Sequence, residues 1–116
     1  MAEVQVELAF SVLDHHGQPL PPDLLHAHGA KLMDALLNLE TCNHDMQDPA
    51  TASDADAGQI TVEMLLVAHD PAELAKRALI ICRTAIHAIG GRTPDWPSDS
   101  PADTRPDFLT KKVEFV

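Results

Sequence analysis

Residues 70–91 read DPAELAKRALIICRTAIHAIGG, and they carry a start signal, a buried face and a stop signal for one helix. Asp70 is a good N-cap, because its carboxylate can accept from the amides that the first turn leaves without partners. Pro71 stands at the one helical position where a missing N–H costs nothing. Glu73 completes the spacing of a capping box. At helical spacing Ala75, Ala78, Leu79, Cys82, Ala85, Ile86 and Ile89 share one face, while Lys76, Arg83 and His87 lie off it. Gly90 then ends the helix in a left-handed conformation. Cys82 falls on the apolar face, which predicts a buried, reduced thiol whose reactivity is suppressed by its surroundings.

Working outward, Ile60, Val62, Met64 and Leu66 alternate with Thr61 and Glu63, the period-two signature of a strand over 59–68, although Leu65 and Val67 make its second face apolar at one end. The same alternation, Val4, Val6, Leu8, Phe10 and Val12, opens the chain. Between these strands, Asp14 to Gly17 make a turn, and Pro19, Pro21 and Pro22 keep the backbone extended until a helix begins at about Asp23. That helix runs to Leu39 with Leu25, Leu32, Leu36 and Leu39 on one face and His28 at its edge. Met33 and Leu37 widen its apolar arc. The stretch from Thr41 to Met46 reads as a short strand, and Gln47 to Gly58 as a polar loop. A Pro- and Asp-rich connection over 91–110 leads to a short closing edge strand, Lys112 to Phe115.

The order strand, helix, strand, strand, helix, strand packs most simply as a single α+β domain over 1–116. Its expected form is a two-layer sandwich of a four-stranded antiparallel sheet with two helices on one face, the ferredoxin-like βαββαβ arrangement. The stretch RTAIHAIGGRTPDWP, residues 83–97, together with the strand and capped helix before it, resembles small bacterial ferredoxin-like α+β proteins of unassigned function. That resemblance implies the fold and transfers no catalytic residue.

The net charge of −10, from 18 acidic against 8 basic residues, argues against a phosphate-binding surface, since nucleic-acid binding needs clustered Lys and Arg to replace counterions. An aromatic content of 3%, with no tyrosine, also removes the stacking platforms of single-strand binders. The N-terminal MAEVQVEL has no basic region followed by an apolar core, so neither secretion nor membrane insertion is indicated. Two cysteines make no disulfide framework, and reduced thiols in an acidic cytoplasmic protein are the expectation.

Seven histidines are the residues with most chemical potential. In the expected topology the first strand ends, the first helix begins and the central hairpin turns at one end of the domain. His15, His16, His26 and His28 would gather there with Asp48, Asp54 or Asp56, a set able to hold zinc, nickel or copper or to sense pH near neutrality. The opposing view is that they are ordinary surface and boundary histidines, because His26 and His28 point to different sides of a helix and no HExxH or Cys-pair signature accompanies them. His28 on its own reads as a core-edge histidine hydrogen-bonded to the backbone. Asp54, Asp56 and Gly58 fail as an EF-hand, which needs glycine and glutamate where Gln59 and Leu65 stand. Gly90 and Gly91 follow a helix instead of opening one, so they form no phosphate cradle. Cys42 beside His44 lacks a third, orienting group. Trp96 has two readings, a loop anchor or a partner-binding hot spot.

With no nucleophile and base in evidence, the sequence points to an interaction or assembly module more than to an enzyme. A homodimer using Met33, Leu37, Leu65, Val67 and Trp96 is the leading expectation, with no cofactor, no nucleic acid and no membrane. A small-ligand or divalent-metal-binding module built on the histidine and aspartate end is the alternative.

Overall fold

The computed structural model describes residues 2–14, 16–43, 45–68, 70–91 and 107–115. Its elements follow in the order β1 (Ala2–Leu13), α1 (Pro22–Cys42), β2 (Met46–Asp54), β3 (Gln59–Ala68), α2 (Pro71–Ala88) and β4 (Asp107–Phe115). The four strands form one antiparallel sheet in the order β2-β3-β1-β4. β1 is therefore central, flanked by β3 and β4, and β2 and β4 are the edges.

The alternation read in β1 and β3 decides which face is buried. Val6, Leu8, Phe10 and Val12 from β1 and Ile60, Val62, Met64 and Leu66 from β3 are buried together with Leu25, Leu32 and Leu36 of α1 and Leu74, Ala78, Ile81, Cys82, Ala85 and Ile86 of α2. Phe108 of β4 closes this cluster edge-on against Phe10, with ring centroids 6.4 Å apart and planes at 67°. Such a pair adds about 0.5–1.5 kcal/mol beyond the area it buries. The other sheet face holds Gln5, Glu7, Thr61, Glu63, Leu65 and Val67, all half-buried.

α2 has the ends its sequence announces. The Asp70 side chain accepts from the Ala72 amide at 3.0 Å. At the other end Gly90, with φ +85°, donates to the His87 carbonyl, and the Gly91 amide reaches back to the Ile86 carbonyl at 2.9 Å. This is a Schellman closure, which satisfies carbonyls that the last turn would otherwise orphan. The buried face is rotated toward Leu74 and Ile81, leaving Ala75, Leu79 and Ile89 half-buried. Asp70→Ala should cost about 1 kcal/mol through loss of the cap. A urea midpoint unchanged by that substitution would show that the cap bond is replaced by water at no cost.

Three elements depart from the sequence expectation. α1 runs through Thr41 to Cys42, and the second strand occupies Met46–Asp54, where a polar loop is expected from the Asp, Pro and Ser content. Pairing with β3 and three contacts with α1 override that weak propensity. Thr51 Oγ1 donates to the Gly29 carbonyl at 3.2 Å, Ser53 Oγ hydrogen-bonds His26 Nδ1, and the Asp48 amide donates to Glu40 Oε2 at 2.9 Å. Asp54 then starts the hairpin turn, accepting from the Asp56 and Ala57 amides at 3.1 and 3.2 Å. The acidic loop is thus an Asx turn closed by Gly58 at φ +64°. The closing strand starts at Asp107, inside the stretch expected to be irregular, and pairs with β1 from Val6 to Leu13.

Candidate functional site

The residues singled out in the sequence distribute over three places. At one end of the sheet, the Val12 amide donates to the Gly58 carbonyl at 3.0 Å and the Gly58 backbone lies against Pro19, so the central hairpin turn meets the segment after β1. His16 is exposed in that segment and its amide donates to Asp14 Oδ1 at 2.8 Å. His26 is exposed on α1 and engaged with Ser53. His15, His44, His69 and Trp96 lie outside the described residues. Among the described residues no group of three or more His, Cys, Asp or Glu side chains is placed to hold a metal ion.

His28 is half-buried on α1, and its Nδ1 is buried with no hydrogen-bond partner. The backbone bond expected for this core-edge histidine is therefore not made at Nδ1, because α1 already uses the local carbonyls in its own ladder. Burial, helped by the positive charge of Lys31 one turn on, holds its pKa below the ordinary histidine value of 6.5. The unfolded chain then binds the proton more readily than the native one. Stability is unaffected above the ordinary value and is lost as pH falls through it toward the lowered one. The urea midpoint should drop more between neutral and mildly acidic pH for the native sequence than for His28→Leu. Equal drops would place the titration elsewhere.

The second place is an open groove of about 580 Å³ between the two helices. Ala35, Leu39, Ala85, Ala88 and Ile89 form its apolar floor, and Lys31, Asp34, Asn38, Cys42 and Thr84 its polar wall. The short side chains of Ala85 and Ala88 on α2 leave that space unfilled. Sequence reading missed this site, although the alanines at 85 and 88 in α2 are a signal for it. Cys42 is exposed and Cys82 fully buried, both as free thiols, and burial pushes the Cys82 thiol well above its usual range.

The third place is the sheet itself. On its open face Glu7 stands directly opposite Glu63 on β3 and Glu114 on β4, a row of three carboxylates across three strands. Gln5 Nε2 donates to Glu63 at 3.3 Å, and Lys112 pairs with Glu114 at 3.0 Å. Leu65 and Val67 lie farther along this face, opposite Gln5 and Glu3.

The two edges of the sheet differ. β2 is interrupted against further pairing over its first half: Glu40 takes the Asp48 amide, Asp48 has φ 52°, Pro49 has no N–H, and the register breaks between Gln47 and Ala50. Met33 and Leu37 lie on α1 along the flank that carries His26 and Glu40, with Met33 half-buried and Leu37 42% exposed. The α1–β2 connection is tied to α2 by Arg77, whose guanidinium donates from Nε to Asp45 Oδ2 at 2.8 Å and also to Asn43 Oδ1. The Asp45 hydrogen bond raises the Arg77 pKa further above the usual range. β4 has one irregularity, a register shift opposite Ala9 and Phe10. Beyond it Lys112, Glu114 and Phe115 are exposed and Val113 is half-buried.

No helix among the described residues is long and apolar enough to cross a membrane. No protein-family model, curated protein or solved structure matches the chain.

Proposed function

We propose that this chain is a non-enzymatic, self-associating interaction module built on the ferredoxin-like arrangement. The strand order and the single cluster shared by both helices and the sheet support that fold reading. The observation that carries the functional reading is the contrast between the sheet edges. One edge is interrupted over its first half by four separate devices, whereas the other ends in an exposed run of alternating charge and apolar side chains. Leaving one edge available while interrupting the other is how a sheet limits itself to one added strand. Leu37, at 42% exposure, and Phe115, at 46%, add apolar surface that the described residues leave uncovered.

Sedimentation equilibrium tests the reading. The expected mass is twice the 12.6 kDa of one chain. A single-chain mass throughout the high micromolar range would end it.

A small-ligand function is the second reading, favoured by the interhelical groove. An amphipathic molecule seated there would cover Cys42, so it should slow thiol labelling at Cys42 and raise the melting temperature together.

A further inference from the structure

Resting on the self-association reading, we propose that β4 pairs antiparallel with β4 of a second copy about a two-fold axis at Val113, giving one continuous eight-stranded sheet. An antiparallel strand pair around such an axis places each residue opposite one determined by the centre, so the charges select the register. Centred on Lys112, the axis brings lysine against lysine. Centred on Glu114, it brings glutamate against glutamate. Centred on Val113, it sets Lys112 opposite the partner's Glu114 and Glu114 opposite the partner's Lys112, two unlike pairs from one symmetry operation.

The sheet geometry agrees with that centre. Lys112 and Glu114 pair with Ala9 and Glu7 of β1 and so stand on the open face, while Val113 and Phe115 pair with Leu8 and Val6 and stand on the core face. An axis perpendicular to the sheet keeps like faces together, so the charged pairs form on the open face and Val113 meets its equivalent on the other. The paired run begins after the irregularity opposite Ala9 and Phe10. The existing Lys112–Glu114 contact, with both side chains about half exposed, is an ion pair that water screens and that yields readily to a cross-strand partner. Stacking two open faces is a poorer route to a dimer, because each brings the row Glu63, Glu7 and Glu114 against its own copy.

The test is sedimentation velocity on the full chain and on three variants, Lys112→Glu, Glu114→Lys and the double exchange, at roughly 10 to 500 μM, the range a small interface demands. Each single reversal should weaken dimerisation by about tenfold, because the two-fold axis turns two unlike pairs into two like pairs. The double exchange should restore it, and so should mixing the two single variants, which are complementary to each other. If Lys112→Glu weakens and Glu114→Lys strengthens association, net charge governs it and this register is overturned. A dimer indifferent to all three variants overturns the β4 interface while leaving self-association standing. Single-chain mass in every sample removes both. Circular dichroism melts control for folding, which changes at two exposed positions should leave intact.

Discussion

Ala78→Asp leaves the chain without a cooperative unfolding transition at neutral pH. Ala78 is fully buried between Leu74 and Cys82 on the packed face of α2. A carboxylate placed there loses its water among the side chains of the apolar cluster. Even after the group relaxes or takes up a proton, the penalty is several kcal/mol, against a total stability of about 5–15 kcal/mol for a domain of this kind. The extra volume adds strain in a core already filled. Ala85 is a weaker choice despite equal burial, because it borders the interhelical groove and a side chain there can reach water. Two measurements check the outcome. Cys82 should react with a thiol reagent slowly in the native sequence and as fast in Ala78→Asp as in denaturant. The variant should regain structure as pH falls toward the raised pKa of the introduced carboxyl, since protonation removes the charge. Slow labelling of Cys82 in the variant would mean that α2 turns a different face to the sheet.

What was legible in the sequence follows from how many independent signals coincide. α2 carries a cap, a proline at its first turn, a 3.6-residue apolar period and a terminating glycine, and its bounds agree with that reading to within two residues at each end. β1 and β3 carry unbroken alternation and are equally plain. β2 was hidden because its strand character is tertiary. QDPATASD has little propensity of its own and is held at the sheet edge by its ladder with β3 and its hydrogen bonds to Gly29, His26 and Glu40. β4 shows the same effect at its start, where Asp107 to Thr110 are drawn into the sheet by pairing with Phe10 to Leu13 and by burial of Phe108. The groove and the contrast between edges depend on which elements lie side by side. Single-chain periodicity records only which face of each element is apolar, so neither could be seen from it.

Gly91→Ala should destabilise the domain by about 1–3 kcal/mol, the usual cost of overpacking a filled core. Gly90, its neighbour, is glycine for conformational reasons, since φ +85° disfavours any side chain while nothing lies within 4 Å of where one would start. Gly91 is glycine for space. A methyl group there would stand 2.7 Å from Ile86 Cγ2 and 2.8 Å from Phe108 Cε1, well inside van der Waals contact. Neither neighbour can give way easily. Ile86 is β-branched on a helix, where one χ1 rotamer dominates. Phe108 is fully buried with its ring set against Phe10. The strain therefore passes into the junction between the end of α2 and β4. Phe108→Leu removes the ring and should cost stability alone, but combined with Gly91→Ala the two losses should be less than additive, because the ring's share of the clash goes with it while that of Ile86 Cγ2 stays. Additive losses would show that the helix end moves away from β4 to admit the methyl group, and that Gly91 is held close by the Schellman closure alone.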